Sequence, residues 1–162
     1  ELTHDYDEYH YELDDIGHDP YVLTAILSAM HPGERTLQEV MGTLEMLFEG
    51  KSIDEIIATL CQWLSPARLG TPGTSACKRI CMYLRWMVRQ EEPDLGLWKS
   101  MDQRQLYAVM DVHVCKLTAS ILSRKQADWK ACMELTGIFR KWSEQDPLRY
   151  DLALMTVADH GF

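Results

Sequence analysis

Helix-start signals recur along this chain, each followed by apolar residues at helical spacing, while no run alternates convincingly between apolar and polar. That combination constrains the fold more than any single motif, because strands need a two-residue period and helices one near 3.6. Asp19-Pro20 pairs an N-cap with a Pro at the first helical position and opens a helix through Val22, Leu23, Ile26, Leu27 and Met30, ended by His31-Pro32-Gly33. Thr36-x-x-Glu39 and Ser52-x-x-Glu55 have the capping-box form. The first leads into Val40, Leu44, Met46 and Leu47 and stops at Gly50; the second leads into Ile53, Ile56, Ile57, Leu60 and Leu64. Ser65 to Gly73 reads as irregular. A central helix follows and runs to Arg89, before the break at Glu91-Glu92-Pro93-Asp94. Ser100-x-x-Gln103 predicts a short helix through Leu106 and Val109. Asp111 opens another along Val114, Leu117, Thr118 and Ile121. Arg124 to Trp142 reads as one long helix built on Trp129, Met133, Leu135, Ile138 and Phe139. Asp146-Pro147 starts a last one through Leu148, Leu152, Met155 and Val157. The expectation is an all-α fold of about eight short-to-medium helices with short connections.

With 162 residues, the chain is long enough for one domain with a real core. The domain is expected over residues 19–162, behind a segment at 1–18 with no amphipathic period. His4, Asp5, Asp7, Glu8 and His10 can be drawn as a metal cluster, but an acidic, loosely packed lead-in is the reading adopted. Cys61, Cys77, Cys81, Cys115 and Cys132 are odd in number, lie within helical patterns and include no CxxC pair. They read as core thiols of a reducing, cytoplasmic compartment, with no metal and no cofactor implied. No apolar run approaches the roughly 20 residues of a membrane span, and no signal peptide opens the chain. The first residue is not Met, as expected of a fragment or a trimmed chain.

The net charge of −9 disfavours nucleic acid only until its distribution is considered. Residues 1–19 hold eight of the 25 acids and none of the 16 bases. Between Pro66 and Trp142 there are 13 bases against 7 acids. The centre of the chain is therefore basic, and either holds phosphates or forms ordinary solvated helix faces.

Two positions within that centre carry chemistry. In TPGTSACKRICMYLRWMVR, Thr71 to Arg89, a Gly/Pro turn leads into a helix with Lys78 in its first turn. Unpaired N–H groups and the positive dipole end gather there. Such a field attracts phosphate and disfavours an ammonium ion, the condition under which a lysine acts as an amine nucleophile. Asp111, after the apolar approach Ala108, Val109 and Met110, reads as a helix N-cap and as a partly buried carboxylate that needs a partner. A surface lysine and a plain cap are the ordinary readings of the same residues.

Taken together, TPGTSACK before a helix and the later MDVHV resemble the helix–hairpin–helix DNA glycosylases of the endonuclease III and 8-oxoguanine glycosylase types. GTSACKRICMYLRWMVR, DLGLWKS, MDVHV, SRKQADWKACMELT and DPLRYDLAL are similar to a bacterial family beside the archaeal 8-oxoguanine glycosylases. The resemblance covers Gly70 to Leu154, about residues 70–154. It implies Lys78 as the Schiff-base nucleophile toward C1′ of a damaged nucleotide and Asp111 as the catalytic aspartate. It further implies DNA contacts from Gly73, Ser75, Arg79, Arg85, Arg89 and His113, with Arg85 equally suited to an internal ion pair. Trp86 and Trp98 are the candidates to stack a flipped base, Trp86 lying with Tyr83 on a helix stripe suited to the core. The implied partner is duplex DNA containing a damaged base, met by a monomer away from membranes. The implied activity is base excision with abasic-site lyase activity, possible substrates including an oxidised purine. The alternative is a catalytically inactive DNA-binding or protein-interaction module on the same fold.

Overall fold

A computed structural model of the chain describes residues 37–64 and 70–160. The acidic lead-in, the helix expected after Asp19-Pro20 and most of the Ser65–Gly73 connection lie outside the described residues. Those described form six α-helices and two 3-10 turns, and no strand. Among the described residues the all-α expectation holds, with six α-helices.

α1 (Leu37–Phe48) and α2 (Ile53–Trp63) come first. The capping box at Ser52 forms as its sequence predicts. Ser52 Oγ accepts the Glu55 N–H at 3.3 Å, and the Glu55 carboxylate accepts the Ser52 N–H at 2.8 Å. Behind this start Ile56, Ile57 and Leu60 are fully buried, each contributing about 1.5–3 kcal/mol relative to an exposed position. On α1 the apolar stripe is narrower than expected: Val40, Leu44 and Phe48 face the core, whereas Met46 and Leu47 are exposed.

α3 (Lys78–Val88) is the axis of the molecule. Eight of its eleven residues, from Ile80 to Val88, are buried, so it is enclosed on nearly every side. The chain beyond it folds back over its C-terminal end. Leu95 and Gly96 donate their N–H groups to Trp86 O, and Trp98 donates to Met87 O. Gly96 is required there: it has φ +55°, and a Cβ would meet Gln90 Cα at 2.9 Å and Arg89 O at 3.0 Å. The return seats Trp98 against Tyr83 and Phe48, with its indole N–H donated to Met41 O at 2.9 Å.

The predicted helix through Leu106 and Val109 is not one. Asp102, not Ser100, caps, and it caps only a 3-10 turn, Gln103–Gln105. Beyond it the chain runs non-helically through the core, with Leu106, Ala108, Val109 and Met110 all buried. Its backbone donors find side chains instead of a ladder. Ala108 N–H is accepted by Thr136 Oγ1 at 2.9 Å, and Val109 N–H by Asp151 Oδ1 at 3.0 Å. This buried strap delivers Asp111 to the start of α4 (Val112–Leu117). α4 stops at Thr118, whose hydroxyl bonds back to Val114 O, so Ile121 lies beyond it and is exposed.

α5 spans Trp129–Trp142, not Arg124–Trp142. Asp128 is its N-cap, accepting Ala131 N–H, and the Arg124 guanidinium folds back onto the same carboxylate. Leu135 and Phe139 face the core and Met133 faces out. At Asp146-Pro147 a 3-10 turn, Pro147–Tyr150, precedes α6 (Asp151–His160). Asp146 makes no cap because Arg89 takes its carboxylate.

Candidate active site

The site begins at a turn. Thr71 O accepts the N–H groups of Thr74 and Ser75, both at 3.0 Å, and the Thr71 and Thr74 hydroxyls meet at 3.0 Å. Gly73, at φ +102°, forms the exposed tip. Gly70, at φ +78°, leaves room for Ser75, whose Oγ would lie only 2.1 Å from a Cβ at that position. Ser75 Oγ in turn accepts the Cys77 N–H at 3.0 Å. Cys77 itself occupies the left-handed region at φ +52° and makes no side-chain cap. Three consecutive conformational demands thus set the direction in which Lys78, the first residue of α3, leaves the turn.

From the other side comes Asp111, at the end of the strap. One carboxylate oxygen, Oδ1, accepts the Val114 N–H at 2.8 Å and caps α4. The other, Oδ2, accepts a hydrogen bond from Lys78 Nζ, also at 2.8 Å. Burial pushes the Asp111 carboxyl up, but the Lys78 ammonium and the Val114 N–H outweigh it and hold it below the usual carboxylate range. The side chains of Lys78 and Asp111 are 33% and 22% exposed, so the pair is open to solvent on one side. It borders a cleft of about 310 Å³ whose wall also includes Ser75, Cys77, Arg79, Met110, Val112 and Ala127. A primary amine and a carboxylate in contact beside an open cleft can exchange a proton and present the amine to a carbonyl-level carbon.

The remaining sequence candidates divide sharply. Arg79 lies on the cleft wall, and its guanidinium pairs with no carboxylate among the described residues. Ser75 is on the wall, Gly73 is exposed at the turn, and His113 is exposed in the first turn of α4. Arg85 and Arg89 are not at a surface. Arg85 Nε bonds Asp94 at 3.1 Å and its Nη1 bonds Asp151 at 3.0 Å. Arg89 joins Asp94 at 3.0 Å and Asp146 at 2.8 Å. With every short donor turned inward, neither arginine is free for phosphate, and the internal ion-pair alternative is the one observed for Arg85. Trp98 is 1% exposed with its N–H committed, which excludes it from stacking a flipped base. Trp86 is partly buried against the core, on the far end of α3 from Lys78.

The sequence reading did not single out other cations that remain outward on segments contributing to the cleft wall. Lys116 is exposed one turn beyond Val112, and Lys125 and Lys130 flank Ala127 and are exposed. The spacing of Lys116 four residues after Val112 was the available signal, since it sets both on one helix side. A second hollow of about 200 Å³, between Phe48, Lys51, Asp102 and Leu106, offers no comparable acid–base pair, because Arg104 occupies the Asp102 carboxylate. Among the described residues no three His, Cys, Asp or Glu side chains are grouped to hold a metal. No described helix is long and apolar enough to cross a membrane.

No curated protein and no solved structure matches the chain. Residues 5–159, nearly its whole length, match the family described as "Protein of unknown function (DUF2400)", and the chain belongs to that family.

Proposed function

We propose that this protein is a DNA glycosylase of the helix–hairpin–helix type with associated lyase activity, acting from Lys78. The observation that supports this reading most is the 2.8 Å contact between Lys78 Nζ and Asp111 Oδ2, made across 33 residues of sequence and beside a cleft. An isolated surface lysine has no need of a carboxylate presented on a buried strap. In the proposed reaction Asp111 accepts the ammonium proton, freeing the amine. The N–C1′ bond forms as the bond from C1′ to the base breaks, and the base leaves with a proton. That proton comes from Asp111, which, a carboxylate again once it has passed the proton to the departing base, stabilises the positive charge on the sugar. Ring opening yields the Schiff base; removal of a C2′ proton expels the 3′ phosphate, and water releases the lysine. Arg79, Lys116, Lys125 and Lys130 would lie against DNA phosphates. The substrate would be a duplex carrying a damaged base, with an oxidised purine as the first candidate, in a reducing cytoplasm.

Borohydride trapping on duplexes containing an abasic site or 8-oxoguanine tests this. Wild type should give a covalent adduct and Lys78→Ala none, while the variant keeps its fold and its affinity for DNA. Equal trapping by Lys78→Ala would remove the assignment. Salt-sensitive DNA binding without an adduct in either protein would favour the non-catalytic module.

A further inference from the structure

Asp151 opens α6 and is 1% exposed, yet it touches both elements that supply the open pair. Its Oδ2 accepts Arg85 Nη1, on α3, at 3.0 Å. Its Oδ1 accepts the Val109 N–H, on the strap, also at 3.0 Å. Arg85 follows Lys78 by seven residues, two helical turns, so both leave α3 on nearly the same side. Asp111 follows Val109 by two residues. Helix and strap are therefore joined at two points, directly where Lys78 meets Asp111 at 2.8 Å and through Asp151 where Arg85 meets Val109. Arg85 is itself fixed, because Asp94 holds its Nε at 3.1 Å. Satisfying Val109 does not require a charge: one residue earlier, the neutral Thr136 hydroxyl serves Ala108 N–H at 2.9 Å. A carboxylate in the core is costly, and burial pushes Asp151 up to about 6 against the pull of Arg85 and the Val109 N–H. Nor does stability require the ion pair, since apolar residues of similar volume commonly serve as well. What a carboxylate adds is two acceptors in one rigid group, so that α3 and the strap are fixed to the same atoms.

We propose that Asp151 is a positioning residue of the site, a buried carboxylate that holds the helix bearing Lys78 against the strap bearing Asp111. It touches no substrate. It sets the distance at which the amine meets its proton acceptor, and its removal leaves both residues present but out of register. As a statement about the open pair this needs only the contacts above; as a statement about catalysis it rests on the glycosylase reading.

The test labels the folded chain, without DNA, by reductive methylation with formaldehyde and cyanoborohydride near neutral pH, where Asp151 is mostly ionised. Peptide mapping then reads each lysine. An ammonium held by a carboxylate reacts slowly, so in wild type Lys78 should lag the exposed Lys116, Lys125 and Lys130. Asp151→Asn keeps an oxygen for Val109 but gives up the anion facing Arg85. Lys78 should then gain about two- to fivefold on those three lysines, the range that one solvent-open ion pair is worth. Asp146→Asn is the control: it removes a carboxylate of the same cluster, at Arg89, without touching the strap, and should leave the ratio as it was. Should Asp151→Asn not fold by circular dichroism, Arg85→Met combined with Asp151→Leu replaces the pair by apolar groups and carries the same expectation. Abasic-site trapping at saturating DNA should move the opposite way, because a freed amine has lost its acceptor. It should fall about tenfold in Asp151→Asn with the half-saturating concentration unchanged. An unmoved Lys78 ratio in the variant that folds would overturn the proposal, as would an equal gain in Asp146→Asn or undiminished trapping. Failure of wild type to trap would instead remove the glycosylase reading and leave the labelling result to decide this one.

Discussion

The two ends of α3 carry the same chemistry, cations against carboxylates, in opposite settings. At its C-terminal end Arg85 and Arg89 meet Asp94, Asp146 and Asp151 with side-chain exposures mostly below 10%. At its N-terminal end Lys78 meets Asp111 with a third and a fifth of their surfaces open. The buried cluster cannot release a member, because each partner left behind would be a desolvated charge. The open pair can, because water takes over whatever the partner gives up. One helix thus holds a set of charges for architecture and a single pair available for reaction. The choice of side chain agrees: planar, always-charged guanidinium groups inside, an amine that can lose a proton at the cleft.

That contrast breaks if truncation costs the same at both ends. Arg85→Ala should be the most damaging change, lowering unfolding free energy by about 3–5 kcal/mol in urea titrations, since it removes the cation beside the fully buried Asp151 and leaves Asp94 with Arg89 alone. Burial already pushes the Asp151 carboxyl up to about 6 against the pull of Arg85 and the Val109 N–H, so little else holds its charge. Lys78→Ala should cost under about 1 kcal/mol in the same titration while abolishing trapping; a loss as large as that of Arg85→Ala would make the open pair structural. The smallest effect sharpens the comparison most. In Lys78→Ala the Asp111 carboxyl should titrate at higher pH than in wild type, followed by NMR, because burial remains and the lowering ammonium is gone. With the wild-type value depressed, the pair's contribution is present above the ordinary carboxylate value, about 3.9, and fades as pH falls through the lower folded value. The stability difference between the two proteins should accordingly shrink in acid, and an unchanged Asp111 titration would remove Lys78 as its partner.

Local signals in the sequence told most where local forces decide. The Ser52 capping box, the Asp111 cap and the start of α3 at Lys78 follow from neighbours within four residues, and all appear as expected. The segment Leu106–Met110 did not, because its backbone donors are satisfied by Thr136 and Asp151, 28 and 42 residues away, a contest no local pattern records. The early start expected for α5 failed for a nearer reason: Asp128 is the better cap, and Arg124 serves it from outside the helix. Within the site, residue types marked Lys78 and Asp111 but not which arginines turn inward. Arg79, Arg85 and Arg89 look alike along one basic helix, and only the positions of Asp94, Asp146 and Asp151 separate them.

The pegged strap has a consequence for how the site tolerates change. Asp111 hangs two residues beyond the last peg at Val109, a tether that spans at most about 7 Å when fully extended. Its second oxygen is moored to Val114, so the carboxylate can turn toward a new partner without α4 fraying behind it. The placement of the acid is therefore dictated by the buried Thr136 hydroxyl and Asp151 carboxylate, neither of which lines the cleft. Drift at those two positions would be felt first as a misaimed carboxylate, in a protein still folded and still carrying both members of its open ion pair.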